Sequence, residues 1–151
     1  HFIAEQVPEK HFIFNDGFCH VHKSIHSEDV KKAKELHPDA LVLAHPECTS
    51  DTLALADFIG STSQIIDYAT ASDSKKFLIC TEMGVFYELM QKNPDKKFFS
   101  VGHRQFCPNM KKVSLDKVLE KLEDLKDEVI LPEEMCEQAK KPLDEMLRLA
   151  Q

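Results

Sequence analysis

The sequence contains no apolar run approaching the roughly 20 residues that a membrane helix requires, and no apolar leader near its start. It reads as soluble and cytoplasmic on that ground. It also lacks any CxxC pair, which removes the zinc ribbon and the zinc finger. A basic excess is missing too: 26 acidic residues outnumber 19 Lys and Arg, for a net charge of −7. Phosphate backbones and anionic membranes demand clustered cations, so the balance argues against either as a partner. Five lysine pairs do occur, such as Lys31-Lys32 and Lys96-Lys97, but each flanks an expected element and reads as a solvated end. No repeat of solenoid period and no low-complexity linker interrupts the chain.

What is present suits a globular fold. Apolar residues make up 42% of the 151 and charged residues 30%, enough to bury one ordinary core, or parts of two small ones. The five cysteines, Cys19, Cys48, Cys80, Cys107 and Cys136, are odd in number and irregular in spacing, which is no disulfide framework. Thiols that stay reduced remain open to metal ligation. The first residues, His1 to Val7, read as the tail of an amphipathic helix with neither an initiator Met nor a capping residue ahead of it, so a truncated chain is expected.

Hydrophobic patterning predicts α/β architecture. A β-prone run at His11–Asn15 leads into a cysteine-histidine stretch, and helical spacing follows over Ser27–Leu36. Three continuous apolar runs then predict strands at Ala40–Ala44, Phe77–Cys80 and Lys97–Val101. Helices are expected between them at Asp51–Ile59, Ser63–Ala71 and Glu82–Lys92. Such alternation marks a parallel sheet covered on both faces, hence a three-layer αβα domain with a short parallel sheet. Beyond Cys107-Pro108 only helical patterns remain. One carries Leu115, Val118, Leu119, Leu122 and Leu125 behind Ser114, and another opens at Pro132 and is interrupted or restarted at Pro142.

In open parallel sheets, ligands bind beyond the carboxyl ends of the strands. The residues at those positions are unusually polar: Cys19-His20-Val21-His22, His45-Pro46-Glu47, Thr81-Glu82-Met83-Gly84, and Gly102-His103-Arg104 with Cys107 shortly after. His45 and Glu47, one residue apart across a stiffening proline, can present an acid-base pair, although a satisfied loop histidine would look the same. Gly60-Ser61-Thr62-Ser63-Gln64 contains a Ser-x-x-Gln capping box, whose free N–H groups and hydroxyls suit a carboxylate or phosphate, or serve as a cap alone. Cys19 and Cys107 could be buried thiols or ligands of an iron–sulfur cluster, where proline after a ligating cysteine is familiar.

Together these stretches resemble quinolinate synthase. The likeness is carried by Asn15 to His22, His45-Pro46-Glu47-Cys48, Gly60 to Gln64, Thr81 to Tyr87, and Cys107-Pro108-Asn109-Met110-Lys111, in family order. It implies about half of a pseudo-threefold, three-domain fold: residues 1–30 as the end of the second α/β domain, 31–110 as the third, and 111–151 as C-terminal helices. It also implies condensation of iminoaspartate with dihydroxyacetone phosphate to quinolinate, in NAD biosynthesis, at a [4Fe–4S] cluster acting as Lewis acid. Cys19 and Cys107 match two of the cluster's three cysteines, the third lying in the missing N-terminal part, so the fragment by itself should be inactive. His45 and Glu47 fall on catalytic and substrate-contacting positions, Ser61 and Thr62 on the anion-binding turn, and His22 on a histidine near the cluster. Cys48, Cys80 and Cys136 match no ligand. L-aspartate oxidase is the implied supplier of iminoaspartate. The competing reading is a stand-alone α/β module that binds a small dicarboxylate without metal.

Overall fold

The computed structural model describes residues 1–150. It divides into two compact units, His1–Asn109 and Met110–Gln151.

The first unit is built on four parallel strands: β1 (Leu41–Ala44), β2 (Phe58–Ile59), β3 (Lys76–Cys80) and β4 (Lys97–Ser100), in the spatial order β2-β1-β3-β4. Leu41 to Ala44 pair in register with Phe77 to Cys80. Because side chains alternate along a strand, the two central strands feed two separate cores. Val42, Ala44, Leu78 and Cys80 point to one face, where they meet Ile25, Val30, Cys48 and Val101. Leu43, Phe77 and Ile79 point to the other, where they meet Ile65, Ile66, Ala69, Val85 and Leu89. Helices α3 (Ser27–Leu36) and α4 (Ser50–Leu53) supply the first core, and α5 (Thr62–Ala71) and α6 (Val85–Lys92) the second. This is the expected αβα sandwich. Burial on both sides explains why β1 and β3 read as unbroken apolar runs. Phe77 is fully buried, and its removal from water contributes on the order of 2–3 kcal/mol.

Two expectations change in this unit. The run His11–Asn15 forms no strand: it finds no ladder partner, and Phe12 and Phe14 stack on each other instead. The helix expected over Asp51–Ile59 stops at Leu53, and its end becomes β2. Asp57 causes the change, since its carboxylate accepts the Val42 N–H at 2.7 Å and its own N–H donates to the Val42 carbonyl at 2.8 Å, drawing Phe58 and Ile59 alongside β1. Ahead of the sheet lie α1 (Phe2–Gln6) and α2 (His20–Lys23).

In the second unit a short 3₁₀ turn at Met110–Lys112 precedes α7 (Leu115–Asp124) and α8 (Glu133–Leu149). Helix α7 ends at Leu125 in the left-handed region, φ 49°. The interruption or restart expected at Pro142 does not occur: helix α8 runs through it without a break, although proline there removes one backbone donor.

Candidate functional site

Strand order places the switch point of the sheet between β1 and β3: the chain leaves β1 toward β2 and leaves β3 toward β4, which opens a crevice beyond their carboxyl ends. The His45 N–H donates to the Cys80 carbonyl at 3.1 Å, carrying the pairing one step past the strands and fixing where the two following loops begin.

Four of the expected site residues meet in this crevice. Val21 and Ile25, both 1% exposed, anchor the segment around α2 in the core and turn His22 inward. The Cys19 sulfur, a His22 ring nitrogen and a Glu47 carboxylate oxygen lie within 4.8 Å of one another. His22 Nδ1 is 2.9 Å from Glu47 Oε2, and His22 Nε2 is 2.9 Å from Thr81 Oγ1. An ionised carboxylate can only accept, so Nδ1 carries the proton and Nε2 accepts from the threonine hydroxyl. The His45 ring stacks on His22, centroids 4.2 Å apart. His45 Nδ1 accepts the Glu47 N–H at 3.3 Å, which leaves its proton on Nε2 and turns its lone pair away from the Glu47 carboxylate 3.6 Å off. Burial is the largest influence on both rings and holds both pKa values below the ordinary 6.5; Glu47 opposes this at each, and His22 reinforces it at His45. Both imidazoles are therefore neutral at neutral pH.

Glu47 and Cys19 also open onto a cleft of about 370 Å³ bordered by Gly17, Phe18, Pro46 and Cys48. Ser61 and Thr62 sit one strand over, immediately after β2, at the same edge. The capping box forms as read: Gln64 Oε1 accepts the Ser61 N–H at 2.8 Å, and Ser61 Oγ accepts the Gln64 N–H at 3.4 Å. Gly60 lets the chain turn so tightly, because a Cβ there would stand 2.7 Å from the Phe58 ring and 2.9 Å from Gln64 Cβ.

The cysteines separate by environment. Burial pushes the Cys48 thiol up to about 12, and its S–H points to the Cys80 carbonyl at 3.4 Å. Cys80 is wholly buried and is pushed up as well. Both thiols lie among apolar core side chains, where cysteine serves as a small hydrophobe. Cys19 is half-buried at the mouth of the crevice, and Cys107 is 9% exposed in the loop after β4. By donor type Cys19 and Cys107 suit an iron–sulfur or other thiophilic metal, with Cys48 and Cys80 as packing; the donors that lie within 4.8 Å of one another are those of Cys19, His22 and Glu47, without Cys107.

Three contributions escaped the reading of the sequence. Thr81 seats the His22 ring. Glu82 is buried, and its carboxylate accepts the Gly84 N–H at 2.6 Å and the Cys107 N–H at 3.3 Å. Gln105, 4% exposed, donates from its side chain to the carbonyls of Ile79 and Thr81, each at 2.6 Å. Thr81 and Glu82 were at least marked by following a strand; nothing about Gln105 marked it. His20, by contrast, is exposed, and His103 and Arg104 line a cleft with His26, Asp29 and Lys32.

Comparison with known proteins gives the family. The family described as "NadA: Quinolinate synthetase A protein" matches residues 1–148. The chain is 51% identical over 148 residues to a quinolinate synthase of Caldicellulosiruptor bescii, covering 98% of this chain and 49% of that relative. It is 42% identical over 153 residues to a quinolinate synthase of Aquifex aeolicus, covering 98% of this chain and 48% of the relative. The chain spans about half the length of the curated relatives it matches. A match that runs nearly end to end, with about half the residues shared in the first of these relatives, makes this chain a member of the quinolinate synthase family.

Proposed function

We propose that this chain forms part of an enzyme that condenses iminoaspartate with dihydroxyacetone phosphate to quinolinate, releasing phosphate and water, in cytoplasmic NAD biosynthesis. The observation that carries the proposal is the meeting of Cys19, His22, His45 and Glu47 at the switch point of the sheet. In this reading residues 1–30 close a second α/β domain, 31–110 form a third, and the helices after residue 110 complete the family's fold. Activity requires the remainder of the family's length, which supplies the third cluster cysteine. An aspartate-oxidising enzyme, L-aspartate oxidase, delivers the unstable imine.

Cys19 and Cys107 are the residues that would hold a [4Fe–4S] cluster, which when bound supplies a Lewis-acidic iron. The chain's own groups do the rest. His45, with its proton on Nε2, is set to donate to a developing oxyanion or leaving group. Half-exposed Glu47 is the proton acceptor, and its carboxylate is aimed by the Nδ1–H of His22. Ser61 and Thr62, at the N-terminus of the ten-residue α5, suit the negative charge of a carboxylate or phosphate.

The test is iron and sulfide content together with quinolinate formation in the anaerobically purified full-length protein. Cys107→Ser should lose cluster and activity together, whereas His45→Ala should retain the cluster and lose turnover. A Cys107→Ser protein with unchanged iron would refute the ligand assignment. Dicarboxylate binding that persists without iron would favour the metal-free binding module.

A further inference from the structure

We propose that Glu82 is a positioning residue for Cys107, holding the sulfur in place through that residue's backbone amide and setting the charge seen by whatever the sulfur ligates. The inference rests on the assignment of Cys107 as a ligand.

The loop from Val101 to Cys107 has no regular structure of its own, and the side chains of Gln105 and Glu82 help tie it to the sheet and to the segment after β3. Gln105 closes the near part. Its Oε1 accepts the Val101 N–H, its amide donates to Ile79 and Thr81, and its backbone carbonyl accepts the Met83 N–H at 2.8 Å. Glu82 closes the far part. One carboxylate oxygen takes the Gly84 N–H and the other takes the Cys107 N–H. The carboxylate thereby joins the start of α6 to the loop that presents the thiol.

Two consequences follow from the chemistry. A buried carboxylate is costly unless its oxygens are satisfied, so the amides of Gly84 and Cys107 are ordered around it. The same carboxylate also sets an acidic group beside the residue that carries the sulfur. Hydrogen bonds to sulfur and the net charge nearby are among the levers that set the reduction potential of a thiolate-held iron site. A carboxylate bonded to the amide of the ligating residue acts through the second of these, adding negative charge and so lowering the potential.

The experiment compares Glu82→Ala, Glu82→Gln and Cys107→Ser in the anaerobically purified full-length protein. The readouts are iron and sulfide per chain, the rate of iron loss to a chelator, and the reduction potential. Far-UV circular dichroism of the metal-free proteins controls for folding. Glu82→Ala should hold iron about 10- to 100-fold less tightly, as is usual when the group orienting a ligand is removed, and lose it faster to the chelator. Glu82→Gln is nearly the same shape and keeps one acceptor oxygen; it should retain most of the iron and show a more positive potential, which loss of fold alone would not produce. If Cys107→Ser loses its iron while both Glu82 variants match the parent in release rate and potential, Glu82 plays no such part. If Cys107→Ser keeps its iron, the ligand assignment fails first.

Discussion

Replacing Thr81 by valine tests the crevice at its most enclosed point. Thr81 is 2% exposed, and its hydroxyl is the partner of His22 Nε2 at 2.9 Å. Valine keeps the shape and removes the donor, leaving a buried ring nitrogen unsatisfied. That loss costs about 1–3 kcal/mol. For a unit of about 100 residues, each kcal/mol lowers the unfolding midpoint by roughly 4–8 °C. The alternative open to the protein is to rotate His22, which would break the 2.9 Å contact with Glu47, the proposed proton acceptor. The same 1–3 kcal/mol then appears as a loss of about 5- to 150-fold in turnover by the full-length enzyme. Thr81→Ser, which restores the hydroxyl, should recover most of either deficit. Thermal unfolding by circular dichroism measures the first effect, and quinolinate formation the second. Long-range ¹H–¹⁵N spectra of the histidine rings should show the His22 proton on Nδ1 in the parent. A valine variant with unchanged midpoint and turnover, or a parent with that proton on Nε2, would refute the assigned hydrogen-bond network.

The turn at α5 separates capping from binding. Ser61→Ala removes half of a capping box and should cost about 1 kcal/mol of stability, read by chemical denaturation. Thr62→Val, at an exposed position, should leave unfolding unchanged and weaken substrate binding; unaltered kinetics would reduce the turn to a cap. Acid should destabilise the first unit through its histidines. His22 and His45 have folded pKa values depressed below 6.5, so between those values and 6.5 the unfolded chain binds more protons. Their contribution is fully present above pH 6.5 and is lost as pH falls through the folded values. Unfolding midpoints taken from about pH 8 down to about pH 5 should show this fall, and His45→Gln should flatten it; an equal slope in that variant would refute the assignment.

How much of this could be read in advance depended on how local the cause was. Strands β1 and β3 announced themselves because burial on both faces demands unbroken apolar residues, as in Leu41–Ala44 and Phe77–Ile79. The capping box was equally legible, being written within four residues. Strand β2 was not. Its two residues are too few for a period, and their conformation comes from Asp57 bonding to Val42, fifteen positions away. The run at His11–Asn15 failed in the opposite sense, since strand propensity without a neighbouring edge yields no ladder. At the site, Cys19, His22, His45 and Glu47 were marked by following predicted strands or by family likeness. Gln105 carries no local signature, because its importance arises only when the β4 loop folds back over β3.

The in-register pairing of β1 with β3 bears on the order of events in the proposed metal binding. His45, Glu47, Thr81 and Glu82 all hang from strands whose hydrogen bonds and two apolar cores exist without any ion, so that side of the crevice is ready before loading. The Cys107 loop is different: it rests on a few side-chain bonds, and such segments can open locally while the sheet stays intact. Ion capture would then draw mainly on the closing of this loop rather than on the folding of the unit. Removing the ion should leave the sheet's amide protons slow to exchange and quicken those between Val101 and Cys107.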